Sequence, residues 1–366
     1  MLAEAVGRWL EADYGFARRR RLAAGAESGQ SNWQQLADLG LLGLNVPEDQ
    51  GGMGATPIEA LIVMQAFGRA LLVEPYLQTA LVAAPLLARV ASGAQRAQWL
   101  PPIIAGERRL VVASHEPAAC YDLAYVEAAA TPRGDGFVLN GRKALVVGAE
   151  GADALIVSAR TAGTARDQRG ISLFLIPGEA AGLEIRGVPT LDGLRAGEVI
   201  LRGVAVGAEA LVGPLHGGVT ELERAFDRGT AGLCAEAVGA MEGLLAATAE
   251  HLRTRRQFGQ PIGQFQALQH RLADMAIATE QARSMALCAA ACVEHDDRGA
   301  RRRAISAAKV MIGQAGRYVG EQAVQLHGGM GMTDELAVGW YFKRLVCIDL
   351  THGNGDHHLE QYGAAL

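Results

Sequence analysis

The stretch that most constrains this chain runs from residue 253 to residue 275, RTRRQFGQPIGQFQALQHRLADM. Before it, Val238 to Leu252 reads as continuous helix. After it, Phe265, Leu268, Leu272 and Met275 recur at the three-to-four spacing of one apolar face. Between them stand Gly259, Pro261 and Gly263, and such punctuation forbids an unbroken helix and sets a bend. Three arginines, an aromatic ring and two glutamines therefore ride on a corner between helices. A guanidinium there offers a planar fork for a diphosphate, Phe258 a surface for a flat ring, and Gln266 both donors and acceptors. A helix-turn-helix with a solvated basic corner is the plain alternative for this motif taken alone.

At 366 residues the chain is long enough for two or three domains with buried cores. Half the residues are apolar and a fifth charged, as in a soluble globular protein. No apolar run is read as reaching the length of a membrane span, and MLAEAVGRWLEADYGF lacks the basic-then-apolar design of a secretory signal, so a cytoplasmic enzyme is expected. The net charge of −5 gives no general attraction for nucleic acid, and the run Arg18 to Arg21 reads as a solvated helix face. Cysteines at 120, 234, 288, 292 and 347 have no paired spacing. Cys288 and Cys292, one helical turn apart among alanines, read as small core residues, so neither a disulfide nor a metal is expected.

The first hundred residues read as helix after helix. Ser31 with Gln34, and Thr56 with Pro57 and Glu59, have the form of capping boxes, and the second opens a helix carrying Leu61, Ile62, Met64, Phe67 and Leu71. Gly51-Gly52-Met53-Gly54 is not read as a nucleotide loop, because no strand precedes it and the third glycine of the fingerprint is missing. From about residue 108 the period becomes alternating. Leu110 to Ser114, Tyr125 to Ala129, Phe137 to Asn140, Ala144 to Val147, Ala154 to Ala159, Ile171 to Ile176, Leu183 to Arg186 and Glu198 to Leu201 read as short strands of a small closed or sandwich sheet rather than a parallel one. After Gly213 the helical period returns. The fold class is therefore α+β, mainly α, with a helical domain over 1–108, a β domain over 109–212 and a helical bundle over 213–366.

The string RRQFGQPIGQFQALQHRLADM resembles the signature of the acyl-CoA dehydrogenase family. So do residues 36–54, SGAQRAQWLPPIIAGE at 92–107, and Gln325-Leu326-His327-Gly328-Gly329-Met330-Gly331, which matches the family's Gln-x-x-Gly-Gly-x-Gly. Taken with the order of helices, strands and helices, the likeness covers nearly the whole chain. Among branches of the family, RTAG, DGLRAGEV, AEAVGAME and GDHHL look most like the small subunit of pimeloyl-CoA dehydrogenase, which implies a dicarboxyl or medium-chain acyl group. The resemblance implies FAD as cofactor, an acyl-CoA substrate and electron-transfer flavoprotein as electron acceptor. It also implies that Arg255, Phe258 and Gln266 contact the pyrophosphate and adenine side of an FAD, usually that of a neighbouring subunit. Gln325 is expected to bond near the diphosphate or adenine, while Gly328 and Gly329 let backbone approach it.

The same comparison marks departures. The family's Thr-Glu-Pro-Gly-x-Gly-Ser series, whose hydroxyls and amides meet the flavin ring, is here His115-Glu116-Pro117-Ala118-Ala119-Cys120-Tyr121. Its Trp-x-Thr, which packs on the ring and bonds near N5, is Leu145-Val146-Val147. A family arginine is replaced by Thr230. The family's base, a glutamate that takes the proton next to the thioester carbonyl, falls on His352 in Thr351-His352-Gly353-Asn354, and its alternative position falls on Gly229. His352 is a candidate replacement, since an imidazole titrates in the useful range, against the plainer role of a packed or locally bonded histidine. Glu236 lies two helical turns beyond Gly229, about 10 Å along the axis. Asp356-His357-His358 reads as structural, since adjacent histidines diverge on a helix.

The expectation is an FAD-dependent acyl-CoA dehydrogenase, working in fatty acid β-oxidation. It is the subunit of a hetero-oligomer, a tetramer with a larger homologue, to which it lends the ADP clamp while lacking the base. The alternatives are a complete homo-oligomeric flavoenzyme with His352 as base, a non-catalytic interaction protein on the same fold, and a flavin monooxygenase or oxidase on that scaffold.

Overall fold

The computed structural model describes residues 2–366. Helices come first: α1 (Leu2–Asp13), α2 (Phe16–Ala23), α3 (Gln30–Asp38), α4 (Pro57–Ala70), a π-helical segment (Leu77–Ala83) running into α5 (Ala84–Val90), and α6 (Gly93–Ile104). Then follow β1 (Leu110–Ala113), β2 (Ala129–Arg133), β3 (Gly136–Val147), β4 (Ala154–Arg160), β5 (Ile171–Pro177), β6 (Leu183–Pro189), β7 (Arg195–Val206) and β8 (Leu211–Val212). The remainder is α7 (Gly218–Thr254), a short hairpin of β9 (Arg256–Gln257) and β10 (Gln260–Pro261), α8 (Gln266–Cys292), α9 (Arg298–His327), α10 (Ala337–Leu350) and α11 (Gly355–Ala364).

The expected α+β architecture is observed. By compactness the chain divides into two units: residues through Ala26 with Pro57–Val73 and Thr230–Leu366, and Glu27–Thr56 with Glu74–Gly229.

The unit spanning Glu74–Gly229 holds the sheet, in the order β6-β7-β3-β2-β4-β5-β8, with β1 paired to β4. It is mixed: β1 and β2 both run parallel to β4, and the other pairs are antiparallel. The strand expected at Tyr125 to Ala129 begins only at its last residue, as β2; Tyr125 to Ala128 is a loop whose Val126 amide bonds the Ala165 carbonyl. The two strands expected at Phe137–Asn140 and Ala144–Val147 are one, β3, broken by register shifts at Leu139/Asn140 and at Lys143/Val146. The second shift is a bulge, which inserts a residue without ending the strand. Leu139, Leu155, Val157, Phe174, Ile176 and Val199 form the sheet's core.

The capping box expected at Ser31 and Gln34 is replaced by an earlier start, with Gly29 as N-cap. A complete box is formed by Ser92 with Gln95, whose side-chain amide also donates to the Glu209 and Leu211 carbonyls.

In the other unit, every residue of α7 from Thr230 to Met241 is buried. A helix apolar all round is one surrounded by protein. This corrects the expectation about membrane-length runs: α7 is long and apolar enough to cross a membrane, yet 72% of its most apolar window is buried in the protein. Contact with α4 is made through glycine on both sides. A Cβ on Gly68 would lie 1.9 Å from the Glu236 carbonyl oxygen, and one on Gly239 1.8 Å from that of Gln65. The arginine run of α2 is also not a uniformly solvated face: Arg19 is buried, with its guanidinium over the Trp340 ring at 4.4 Å.

Candidate functional site

The basic corner is more structured than a bend. Residues 256–261 form a two-stranded hairpin whose central residues, Phe258 and Gly259, have φ of 55° and 82°. Positive φ at both centres defines the tight turn that suits strand twist, and a phenylalanine adopts it only under strain. Phe258 is 88% exposed, held from one side by Phe265 in an edge-to-face contact at 6.0 Å. Arg255 is exposed, and its carbonyl accepts from the Ile262 amide at 2.9 Å, closing the corner. Gln266, also exposed, is the first residue of α8, where helix amides point outward. The expected inward face of α8 is only partly so: Met275 is buried, while Phe265, Leu268 and Leu272 are half-buried.

The late glycines end α9. Gly328 adopts φ 60°, ψ −142°, a conformation open to glycine, and its amide bonds the Gln325 carbonyl. A Cβ on Gly328 or Gly329 would meet open space within the chain, so neither glycine is demanded by internal packing. Gln325 is exposed. The corner and the glycine turn lie at the same end of the helices, because His251 in the last turn of α7 stacks on His327 in the last turn of α9, with centroids 4.3 Å apart and planes at 27°.

The ring positions lie in the unit that holds the sheet. The His115 carbonyl accepts from Ala144, next to Leu145, and its ring packs edge-on against Phe226 at 5.2 Å. Leu145 sits on the β3 bulge with φ 51° and is 71% exposed. Val147 is half-buried. Cys120 and Tyr121 both have positive φ, 44° and 73°.

Glu116, the acidic residue shared with the family series, has a structural task here. Its carboxylate accepts from the amides of Glu127 and Ala128 and from Lys143 Nζ at 2.7 Å, and Lys143 also reaches Ser158 Oγ and the Ser114 carbonyl. Burial pulls the Lys143 pKa down to about 8, against the pull of Glu116.

At the base position, the apolar run before His352 is helix α10, and His352 follows it in a turn at φ 60°. His352 Nδ1 lies 3.5 Å from Thr230 Oγ1, so the residues standing where the family has its base and its arginine meet. The turn is gripped from behind. Lys309 Nζ donates to the Asp349 and Gly353 carbonyls, and His358 Nε2 donates to the His352 carbonyl while Ser306 faces its Nδ1. Burial lowers the Lys309 pKa to about 8 and the His358 pKa to about 3.

Gly229 is a buried residue inside α7. Glu236 is taken up by Arg344 in a buried bidentate pair at 2.6 and 2.7 Å. Among the described residues no cluster of three His, Cys, Asp or Glu side chains has metal-binding geometry.

Seven non-glycine residues among those described have positive φ: Leu71, Cys120, Tyr121, Leu145, His216, Phe258 and His352. Tyr121, Leu145, Phe258 and His352 stand at positions singled out by sequence, and strain of this kind gathers where geometry is imposed for function. Sequence reasoning missed Lys309 and the His251–His327 stack, and read His358 only as structural. The buried lysine inside an otherwise alanine-rich helical run was the one available signal.

The donors at the corner and the glycine turn fit the diphosphate and adenine of a dinucleotide. The chain's own ring positions do not fit an isoalloxazine in the family's way, since Leu145 and Val147 offer it neither an aromatic face nor a hydroxyl.

Family models describe three parts of the chain: an acyl-CoA dehydrogenase N-terminal domain over residues 1–107, a middle domain over 112–204 and a C-terminal domain over 216–366. Acyl-CoA dehydrogenase FadE12 of Mycobacterium tuberculosis is 30% identical over 342 residues, 92% of this chain and 87% of its own length. Among solved structures, the Tcur3481-Tcur3483 steroid ACAD is 30% identical with a TM-score of 0.87, covering 100% of this chain and 96% of its own. The ChsE4-ChsE5 complex from Mycobacterium tuberculosis is 27% identical with a TM-score of 0.86, covering 99% and 95%.

Proposed function

The chain belongs to the acyl-CoA dehydrogenase family of FAD-dependent oxidoreductases, and from that premise we propose that it is one subunit of a hetero-oligomer, a tetramer with a larger homologue. It lends the ADP clamp and leaves the ring site and the base to its partner. FAD, when bound, supplies the hydride acceptor for α,β-dehydrogenation of an acyl-CoA thioester. Arg255 would pair with the diphosphate, and Phe258 would present its exposed face to the adenine. Gln266 and Gln325 would donate and accept hydrogen bonds, and Gly328 and Gly329 would admit the cofactor close to backbone.

One contrast carries the reading. Arg255 and Phe258 stand exposed beside an intact glycine turn, whereas Leu145 and Val147 replace the ring's stacking and hydrogen-bonding partners, His115 and Tyr121 depart from the family series, and no carboxylate stands at 352 or 229. A homo-oligomer of such chains would hold a nucleotide with no base beside it, and a hetero-oligomer would not. The two-protein names of the Tcur3481-Tcur3483 and ChsE4-ChsE5 structures agree with this reading. Electron-transfer flavoprotein is the acceptor by analogy with the family. A cytoplasmic setting accords with α7 burying its apolar window inside the protein.

The test is the visible spectrum and turnover of the purified chain, alone and with a co-purifying homologue. Weak flavin content and little activity alone, both restored by the partner, are expected. Full turnover of an acyl-CoA by the homomer overturns the proposal.

A second reading, a complete enzyme with His352 as base, is favoured by one observation: His352 is held at φ 60° by Lys309 and His358, with Thr230 beside its Nδ1. Under that reading His352→Gln abolishes reduction of bound flavin by substrate and leaves FAD content intact. Under the first, His352→Gln in the assembly leaves reduction in place.

A further inference from the structure

The two halves of the nucleotide clamp come from different helices: the arginine corner follows α7, and the glycine turn follows α9. One side-chain contact between these two ends is the histidine stack. We propose that His251 and His327 are positioning residues, an aromatic strut that sets Arg255 and the Gly328–Gly329 turn at a fixed separation so that both engage one ADP moiety. This rests on reading those groups as the clamp for the ADP half of FAD.

The connections on each side are short. On α7, the Arg255 amide donates to the His251 carbonyl at 2.9 Å, so Arg255 leaves the helix from the peptide that carries the stacked ring. On α9, His327 immediately precedes Gly328, and its Nδ1 lies 2.9 Å from the Ala323 carbonyl. A carbonyl only accepts, so Nδ1 carries the proton, and that bond fixes the plane of the ring. His327 is buried and His251 half-buried, with ring planes near parallel. Two flat rings in contact resist relative sliding and tilting of the helix ends better than aliphatic side chains, which pack with less directional preference. Burial lowers the His251 pKa, and His327 and Arg255 lower it further. A ring whose charged form is disfavoured adds little positive charge beside the Arg255 guanidinium. Neither histidine is assigned contact with the nucleotide.

The experiment uses the full chain in the assembly in which it purifies, stripped of flavin and titrated with FAD by flavin fluorescence. His251 is the residue to change, being half-buried. His251→Ala should raise the FAD dissociation constant about tenfold, a weakening that Arg255→Ala matches or exceeds. His251→Phe, which restores a ring in the same place, should stay within about twofold of the unaltered protein. Circular dichroism and the melting temperature of the flavin-free proteins report whether each variant is folded.

If Arg255→Ala weakens FAD and His251→Ala does not, the strut is wrong and the clamp stands. If His251→Ala and His251→Phe weaken it equally, ring stacking is not the cause and the strut is again wrong. If Arg255→Ala has no effect, the clamp itself is overturned and the strut with it.

Discussion

Lys309 Nζ donates to the Gly353 carbonyl at 2.6 Å, and through that bond a buried cation on α9 holds the turn that carries His352. The same ammonium reaches the Asp349 carbonyl at 2.8 Å, near the C-terminal end of α10, where helix carbonyls lack internal partners and a positive charge is favoured. With His358 on the His352 carbonyl, the left-handed residue is held through successive peptides.

Lys309→Met therefore sets two effects of similar size against each other. It removes an ammonium whose burial has pulled its pKa down to about 8, a cost of roughly 3 kcal/mol. It also strips two carbonyls of their partner, at about 1–3 kcal/mol each. Global stability should fall by no more than about 3 kcal/mol, while amide hydrogen exchange across residues 351–354 should speed up at least about tenfold. Unchanged exchange there would mean that the lysine does not hold the turn.

The acid limb of stability should report His358. Its folded pKa is depressed to about 3, first by burial and then by Lys309 and His357. As pH falls below about 6.5 the unfolded chain takes up the proton first, so stability present above that value is lost progressively towards pH 3. The loss amounts to a few kcal/mol at most on the order-of-magnitude scale of such shifts. His251, also depressed, contributes with the same sign. His358→Gln keeps a donor and an acceptor, and thermal melts from pH 7 to pH 4 should show a shallower slope for it.

Glu116→Gln separates structure from cofactor chemistry. It leaves Lys143 buried with Ser158 and the Ser114 carbonyl as partners but no counter-charge, and should lower stability by about 3 kcal/mol at pH 7. The deficit should shrink by pH 9, because Lys143, already lowered to about 8, then sheds its proton. A pH-independent deficit in urea titrations would count against the ion pair as the cause.

Phe258→Ala is the opposite kind of change. The ring is 88% exposed, and alanine keeps the Cβ that disfavours φ 55°, so its loss should leave the melting temperature of the flavin-free protein nearly unchanged. FAD retention by the assembly, read from absorbance after gel filtration, should fall about tenfold. A fall in stability with full retention would make Phe258 a packing residue.

Much of the architecture was legible because it is written in periods. Alternation from Leu110 onward and its end near Gly213 mark the sheet, and the glycines and proline after Leu252 mark the break between α7 and α8. Even so, local pattern misjudged the break, which is a hairpin with phenylalanine at a left-handed position. It also made a strand of Tyr125 to Ala129, where the carbonyls of Ala124 and Val126 are instead taken by the buried Arg160. Arg344 and Glu236 are 108 residues apart, and nothing in either neighbourhood announces the other.

By itself the chain's order of residues settled the class of fold and the family, because these depend on residue types at fixed local spacing, and it named the groups proposed to meet a dinucleotide. It also settled which groups are lacking, since a missing carboxylate at 352 is plain without coordinates. Only the tertiary structure showed which of the acidic residues are taken up in buried ion pairs. It turned Glu116 and Glu236 into partners of buried cations, set Thr230 beside His352, and brought the ends of α7 and α9 together through His251 and His327. Those outcomes follow from burial and from contacts between residues far apart in sequence, which strengthen or silence a charged group and which no local pattern encodes.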